Sequence, residues 1–341
     1  MSLLAVLVVA VGCAPSPSRV AREPAEMLST KDREWLDDKV REHLVLPARA
    51  PIGRAELARV TELDLSRSAF SDATAAWLAD PTTGLHALRT LNLQHTNLTD
   101  VGLQDLAHHD TGLTGLTTLL LAGTNITDNG VKDLARPDTG LVGLTSLDLR
   151  STNVTDAGVA DLSRANTGLR GLTTLDLSFT QVTDAGVEKL ALPNTGVRGL
   201  STLGLASTRI ADAGLGQLAR KDSGLSKLLT LNLAFTLVTD VGVKEAARAG
   251  SGLSGLHALF LHGTLVTDAA ANDLALAQTG LGGLMTLDLG STKLTDVGLK
   301  DLTRADTGLS ALTKLYVGNT QVTDAEVTAA GARRPALAIS R

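Results

Sequence analysis

The sequence predicts an α/β solenoid, a fold in which one strand and one helix are repeated along the chain. An aspartate recurs every 28 residues, and a fixed period of this length marks a solenoid. The same apolar pattern accompanies each aspartate. Aromatic residues are only 2% of the chain, which is too few for an ordinary core of this size, whereas stacked leucines can fill a solenoid. The aspartates are Asp72, Asp100, Asp128, Asp156, Asp184, Asp212, Asp240, Asp268, Asp296 and Asp324.

Each period is predicted to begin with a short strand. In one copy, Leu91 and Leu93 alternate with Asn92 and Gln94. Alternation with a period of two is typical of a strand with one buried face. The leucines therefore point into the core, and the residues between them face solvent.

A helix is predicted to follow the strand. Thr99 or Asp100 can cap it, because either side chain can accept hydrogen bonds from first-turn N–H groups, and the carboxylate also suits the positive end of the helix dipole. Thr111 and Gly112 end the helix, and the glycine is expected to adopt a left-handed conformation. We assign capping to the aspartates, as structural caps at Asp100, Asp128, Asp156, Asp184, Asp212, Asp240, Asp268 and Asp296.

The Leu-x-x-Leu-x-Leu core, as at 88–93, resembles the leucine-rich repeat, and the 28-residue length is similar to that of the ribonuclease-inhibitor-like subclass. The resemblance covers roughly residues 57 to 339. It implies a horseshoe, with a parallel β-sheet on the concave face and helices on the convex face. Because the family commonly has asparagine at the ninth repeat position, a ladder of threonine hydroxyls is expected instead of amides: Thr96, Thr124, Thr152, Thr180, Thr208, Thr236, Thr264, Thr292 and Thr320.

The two ends of the chain differ from the repeats. Residues 29–44 have the apolar spacing of a helix, with Ser29 or Thr30 as its cap, and this helix is expected to cover the first repeat. We predict the following organisation: 1–12 signal peptide, 13–28 acylated cysteine and Pro/Ser tether, 29–56 N-terminal helical cap, 57–324 ten leucine-rich repeats, and 325–341 C-terminal cap.

The N-terminal segment indicates a secretory signal. Residues 3–11 are all apolar, too few to span a bilayer but suited to the hydrophobic part of a signal peptide. Residues 10–13, Ala-Val-Gly-Cys, resemble a bacterial lipobox, so Cys13, the only cysteine, is predicted to be lipidated. Ala10 replaces the favoured leucine, and residues 2–12 carry no Lys or Arg, so a plain anchor and an apolar tail without function remain alternatives. Ala14 after the cysteine weakly favours the outer membrane of a bacterial envelope. If the N-terminal segment is not a secretory signal, a cytoplasmic location is expected.

Charge and composition exclude several functions. The net charge is −5, and Lys and Arg are scattered among acids, which disfavours nucleic acid and electrostatic membrane docking. No catalytic constellation is visible, so we predict that the protein is not an enzyme and has no cofactor or small-molecule substrate. His108, His109 and Asp110 form a ligand-like cluster, but adjacent histidines on a helix diverge, so no metal site is predicted.

Candidate binding residues lie at solvent-facing positions of the concave sheet, where the repeat imposes no residue type. Exposed aromatic residues on a rigid surface suit a binding hot spot. The alternative is that Phe179 and Phe235 only cover the edge of the loops. The candidates are Phe179, Phe235, Phe260, His262 and Tyr316, with the more polar Asp148, Arg150 and Asp176.

Three functions fit the sequence. The first is a lipid-anchored envelope protein that binds a protein or peptide through its concave face. The second is an intracellular regulator or adaptor, of the ribonuclease-inhibitor or GTPase-activator type, and the third is a structural spacer of the envelope. Fold resemblance alone does not identify a ligand.

Overall fold

The protein is a single stack of strand–helix units, seen in a computed structural model that describes residues 28–341. The predicted signal peptide and Cys13 lie outside the described residues. Eleven parallel strands form one open sheet in chain order. They are β1 Glu62–Asp64, β2 Thr90–Asn92, β3 Thr118–Leu120, β4 Ser146–Asp148, β5 Thr174–Asp176, β6 Thr202–Gly204, β7 Thr230–Asn232, β8 Ala258–Phe260, β9 Thr286–Asp288, β10 Lys314–Tyr316 and β11 Ala338–Ser340.

Helices alternate with these strands, which confirms the predicted solenoid. The helix expected over residues 29–44 is α1, and its side-chain cap is Ser29, which accepts from the N–H of Asp32. The helices are α1 Thr30–Leu44, α2 Arg54–Leu57, α3 Asp72–Ala79, α4 Asp100–Ala107, α5 Asp128–Leu134, α6 Asp156–Leu162, α7 Asp184–Leu190, α8 Asp212–Ala219, α9 Asp240–Ala246, α10 Asp268–Leu274, α11 Asp296–Thr303 and α12 Asp324–Arg333.

The strands are held in register by the 28-residue period. Leu91 pairs with Leu63 on one side and with Leu119 on the other, so identical core positions stack in columns. All three leucines are buried. The core is therefore a continuous stack of leucine layers, and each layer needs its neighbours to exclude water.

The aspartates do not cap the helices that they begin, which corrects the assignment for Asp100, Asp128, Asp156, Asp184, Asp212, Asp240, Asp268 and Asp296. Some of them instead accept from a first-turn N–H of the next repeat's helix, as Asp128 Oδ1 does from Gly158 at 2.9 Å. The residue before each aspartate is the N-cap, as in α4, where the Thr99 hydroxyl accepts from the N–H of Val101. The aspartate is the first helical residue. Its carboxylate points instead to the next repeat, and it does so even at Asp212, where the preceding Ala211 has no hydroxyl.

The carboxylate of each repeat joins that repeat to the following one. Asp100 Oδ1 accepts from the N–H of Thr127 at 2.8 Å, and Asp100 Oδ2 accepts from the Thr127 hydroxyl at 2.5 Å. Equivalent pairs link Asp128 to Thr155 and Asp156 to Thr183. We call this contact the inter-repeat carboxylate bridge. Hydrogen bonds to an ionised group are stronger than neutral ones, so the bridge fixes the spacing of neighbouring helices.

Two glycines that recur in most repeats permit close packing. A Cβ on Gly102, the third residue of α4, would lie 2.5 Å from the bridging oxygen of Asp72. The glycine of the Thr-Gly turn was expected to be left-handed, and this was wrong for Gly112, although the equivalent Gly84 of the first repeat has a φ of 94°. Gly140 donates to the Ala107 carbonyl at 3.0 Å, and its Cβ would lie 2.3 Å from the His108 carbonyl oxygen. The absent side chain thus permits backbone contact between repeats.

The threonine hydroxyls do not form a ladder between repeats, which corrects that expectation. Each donates to a carbonyl three residues earlier in its own repeat, as Thr96 does to Leu93 at 2.7 Å. The side chain is buried, so the hydroxyl needs this internal acceptor. Threonine therefore closes the turn after each strand and does not connect neighbouring units.

One junction of the stack lacks half of the bridge. Ala211 occupies the N-cap position of α8, where its N–H donates to Asp184 Oδ1 at 2.8 Å but no hydroxyl reaches the second oxygen. No side chain caps α8. The contact between the α7 and α8 repeats is therefore weaker than its neighbours.

We predict that Ala211→Thr stabilises the protein by about 1 kcal/mol, because the hydroxyl would cap α8 and complete the bridge to Asp184. The matched variant Thr183→Ala should destabilise by about the same amount. Urea unfolding followed by circular dichroism measures both changes. Unchanged or lower stability of Ala211→Thr would contradict the role assigned to the bridge.

Candidate binding surface

The strand face is the side of the sheet that the leucine core does not cover. The last residue of each strand lies on it, half-buried or exposed in most repeats, while the central leucine is buried. Register places these last residues side by side, in the order Asp64, Asn92, Leu120, Asp148, Asp176, Gly204, Asn232, Phe260, Asp288 and Tyr316. The residue type at the end of the strand therefore differs between repeats, whereas the central, buried residue of the strand is leucine in these repeats.

A second variable column lies three residues beyond each strand. Its members all have a left-handed backbone, with φ between 53° and 68°. For a residue with a Cβ this conformation costs about 1–2 kcal/mol, and glycine or asparagine adopts it most readily. The column is Arg67, His95, Gly123, Ser151, Phe179, Ser207, Phe235, Gly263, Ser291 and Asn319.

Phe179 and Phe235 are the anomalies of this column. A bulky residue at positive φ is uncommon, and their φ values are 60° and 56°. Their side chains are 59% and 57% exposed, so core packing does not offset the strain. Strained residues that the core does not need are concentrated at functional sites. The sequence predicted both residues as candidates, but not their backbone conformation.

Phe235 and His262 lie together, as their proximity in the repeat suggested. The two ring centroids are 5.1 Å apart in an edge-on arrangement. His262 Nδ1 lies 3.5 Å from Asp288 Oδ1, and that oxygen also accepts from the N–H of Gly290 at 2.8 Å. The histidine is therefore held between an aromatic ring and a carboxylate, across three repeats.

Phe260 lies one strand from Asn232 and one strand from Asp288, half-buried on the strand face. Tyr316 lies beyond Asp288 and is 38% exposed. Two strand spacings, about 10 Å, separate Phe260 from Tyr316. The two aromatic residues share a face, and the structure does not bring them into one cluster.

The polar candidates form a separate group, in which the charged side chains pair with one another. Arg150 makes a two-pronged ion pair with Asp148, at 3.0 and 2.7 Å, and lies 3.6 Å from Asp176. The hydrogen bond to Asp148 raises the pKa of the Arg150 guanidinium. Gln94 donates to the same carboxylate at 3.0 Å, and Asp148 is 6% exposed. Asp148 is therefore a structural acceptor, and Asp176 is the more available acid.

Leu237 and Leu265 also belong to this surface, and the sequence reasoning missed them. They are 55% and 47% exposed in neighbouring repeats, two residues after the left-handed column. Most other repeats have a polar residue at this position, namely Asn97, Asn125, Asn153, Gln181, Arg209, Lys293 and Gln321. Comparing the repeats column by column would have found them. We call Phe179, Phe235, Leu237 and Leu265 the apolar edge.

The His108, His109 and Asp110 cluster lies elsewhere, in the turn after α4. Its ligand atoms lie within 4.8 Å of one another, but His109 Nε2 already lies 3.0 Å from Asp110 Oδ2. The equivalent turn in the next repeat has an ion pair in which Arg136 lowers the pKa of Asp138 by hydrogen bonding. In this turn a histidine pairs with the aspartate, whereas in equivalent turns of other repeats an arginine does so.

Within residues 28–341, no helix is both long and apolar enough to cross a membrane. The helices of the repeats are short, and they bury their apolar side chains in the core.

Comparison with known proteins supports the repeat architecture. A family profile described as Leucine Rich repeat matches residues 85–107, 113–135, 144–163, 170–191 and 284–302. These matches and the strand–helix order together show an α/β leucine-rich-repeat solenoid. They do not test the assignment to the ribonuclease-inhibitor-like subclass, which stays a prediction. A search of curated proteins found no significant match.

Similar solved structures include two internalins of Listeria monocytogenes. Internalin inlF is 18% identical over 90% of this chain and 94% of its own, with a TM-score of 0.43. Internalin C2 is 22% identical over 84% of this chain and 91% of its own, with a TM-score of 0.45.

We predict that Phe179→Asn stabilises the protein by about 1 kcal/mol, because asparagine tolerates the left-handed backbone and the exposed ring contributes little packing. The matched variant Phe260→Asn lies on a strand without positive φ and should give no gain. Thermal and urea unfolding measure both. A loss of stability in Phe179→Asn would show that the ring is retained for folding.

Proposed function

We propose that this leucine-rich-repeat protein is a non-catalytic scaffold that binds a protein or peptide through the strand face and the apolar edge. The observation that carries the proposal is the pair of exposed phenylalanines at strained positions. Neither ring is needed by the core, and the chain itself uses glycine or asparagine at the same position in other repeats. A strained, exposed aromatic residue is explained when a partner covers it.

The size of the surface favours a macromolecule. Phe179 follows β5 and Leu265 follows β8, so the apolar edge extends over three strand spacings, about 14 Å. It is open, and it adjoins Phe260 and His262 on the strand face. A large, rigid aromatic surface of this kind suits a protein or peptide, because the side chains lose little entropy on binding.

The chemistry of the surface supports binding and offers no route to catalysis. His262 faces Asp288, as a general base would, but no hydroxyl hydrogen-bonds to this histidine in the part of the chain that the structure describes. The other side of its ring packs on Phe235. We infer that His262 supports Phe235 and contributes a polar contact to a partner.

We further propose that the scaffold is lipid-anchored at Cys13 to a bacterial envelope, with weak preference for the outer membrane. The support is the sequence: nine apolar residues, then a lipobox-like segment that ends in the only cysteine. The Pro/Ser-rich residues that follow suit an extended tether. Two alternatives remain. A Cys13 that is not lipidated would favour the intracellular regulator, and a strand face that binds no partner would favour the envelope spacer.

The anchor predicts a chain that starts at Cys13 with added acyl mass and partitions into detergent. Intact mass and phase partitioning of protein made in a bacterial host check this, beside Cys13→Ala. An unprocessed wild-type chain in the aqueous phase would contradict the anchor and favour the intracellular regulator.

The binding surface predicts that a photo-reactive benzoylphenylalanine at position 260 forms cross-links to a partner in the source cells. The matched control is the same residue at position 297, where Val297 is 63% exposed on α11, away from the strand face. Adducts specific to position 260, identified by mass spectrometry, are expected. Equal cross-linking at both positions would contradict the site, and none at either would contradict the binding function.

A further inference from the structure

Apolar side chains are concentrated on three consecutive repeats of the strand face, those of β7, β8 and β9. Leu229 and Met285 immediately precede β7 and β9 and are 41% and 43% exposed, whereas most other repeats have threonine or serine at this position. Phe260 ends β8, the strand between them. We call this band the apolar strip, and it consists of Leu229, Phe235, Leu237, Phe260, Leu265 and Met285.

The apolar strip follows the direction of the strands. The backbone ladder extends beyond the strands themselves, since Leu229 donates its N–H to Ser201 at 2.8 Å and Phe235 donates to His262 at 2.7 Å. From Leu229 to Leu237 the chain includes five extended residues and a turn, a length of about 20 Å. Three neighbouring strands give a width of two strand spacings, about 10 Å. The strip is therefore about twice as long as it is wide.

Positive charge surrounds the apolar strip. In the column of Leu237 and Leu265, the repeats on either side have Arg209 and Lys293. Lys314 begins β10, the strand that pairs with β9. All three cations are exposed, and within residues 28–341 none of them forms an ion pair. Their charges are available to a ligand.

Acidic side chains are nearly absent from this part of the face. Between residues 201 and 321, Asp288 is the only acid outside the helices and the turns that follow them. Its side chain is 19% exposed, lies 3.5 Å from His262 Nδ1 and accepts from the N–H of Gly290. The rim of the strip is therefore positive, whereas β4 and β5 of the same face end in Asp148 and Asp176.

A helical ligand suits this surface better than an extended one. Each of β7, β8 and β9 pairs with a strand on both sides, so this part of the sheet offers no free edge to an added strand. An extended segment lying on apolar side chains would leave many of its N–H and C=O groups without partners, which costs free energy. A helix satisfies these groups internally, and its diameter of about 10–12 Å matches the width of the strip.

The curvature of the stack also favours a helix. Packed helices need about 10 Å per repeat and strands about 4.8 Å, so the stack bends with the strand face on the inner side. The axis of this bend is parallel to the strands. A cylinder with the same direction fits inside the bend, whereas a flat bilayer would meet the ends of the stack before it reached Phe260.

We propose that the apolar strip binds an amphipathic helix of a partner protein, aligned with the strands, with acidic residues on both sides of its apolar stripe. A length of about 20 Å corresponds to about 13 helical residues. The apolar stripe covers the strip, and the acidic residues meet Arg209, Lys293 and Lys314. Such charges fix the register of the helix and exclude helices with basic flanks. The inference depends on the proposed binding function and specifies the ligand of that surface.

The test uses the full-length protein and a fluorescein-labelled synthetic helix of about 15 residues, with one leucine stripe, glutamate on both sides of it and alanine elsewhere. Fluorescence anisotropy measures its Kd. We expect a Kd of about 10–100 µM with wild type. Binding should be about tenfold weaker when lysine replaces the glutamates, and about tenfold weaker when a central proline breaks the helix.

The strip variant is Leu229→Thr, Leu237→Gln, Leu265→Gln, Met285→Thr. It should weaken binding by about tenfold or more, because it removes the apolar contacts at both ends of the strip. Each replacement copies a residue that the chain has at the same position in other repeats, so the fold is retained, and circular dichroism checks this.

The charge variant is Arg209→Gln, Lys293→Gln, and it should reduce the preference for glutamate over lysine. The matched control is Val101→Asn, Val241→Ala, which changes two side chains that are 62% and 63% exposed on α4 and α9. These replacements also copy residues of other repeats, and the control should bind the glutamate helix like wild type.

The inference is overturned if the glutamate helix binds wild type no better than about 1 mM, or if the strip variant or the proline peptide binds equally well. Phosphatidylglycerol vesicles should sediment wild type and the strip variant equally, and a loss in the variant would overturn the inference in favour of a bilayer. If cross-links still form at position 260, only the helical ligand fails, whereas failure of both experiments removes the binding function as well.

Discussion

The inter-repeat carboxylate bridge is the contact on which the rest of the structure depends. One aspartate per repeat accepts from both the N–H and the hydroxyl of the next repeat's capping threonine, as Asp128 does from Thr155. The helix glycine permits the close approach of this carboxylate, since a Cβ on Gly158 would lie 2.6 Å from Asp128 Oδ1. Where alanine replaces it, the bridge persists, and the Ala270 N–H lies 3.2 Å from Asp240 Oδ1. Because the bridge fixes how neighbouring units meet, the leucine layers stack without gaps, and the strands stay in register over the whole sheet.

The bridge and the leucine core hold the repeats together, so the residues of the strand face are available for binding. The buried columns consist mainly of leucine and similar apolar residues, and the bridge columns mainly of aspartate, threonine and glycine. The last strand residue and the left-handed residue belong to neither set of columns, so the fold does not restrict them in this way. Variation there is consequently informative: Phe179, Phe235 and Phe260 occupy positions that the fold would fill with small or polar residues. A rigid frame also lowers the entropic cost of presenting these rings to a partner.

The sequence predicted the solenoid because periodicity is a global signal that no single substitution hides. It failed on roles that depend on contacts between repeats. Asp100 was taken for a cap because capping is local, whereas its true acceptor role lies 27 residues away at Thr127. Gly112 was expected at positive φ for the same reason. The aromatic candidates were found from their solvent-facing positions in the repeat. Leu237 and Leu265 needed a comparison of one further column between repeats, and the strain at Phe179 needed coordinates.

The most direct test of the binding surface is amide hydrogen exchange of the protein with and without the partner recovered by cross-linking. Slowed exchange in residues 204–209 and 232–237, with unchanged exchange in α8 and α9, is the result predicted here. These helices belong to the same repeats, so they serve as an internal control for a general gain in stability. Protection confined to the helices, with the strand face unaffected, would show that the partner binds the opposite side and would contradict the account.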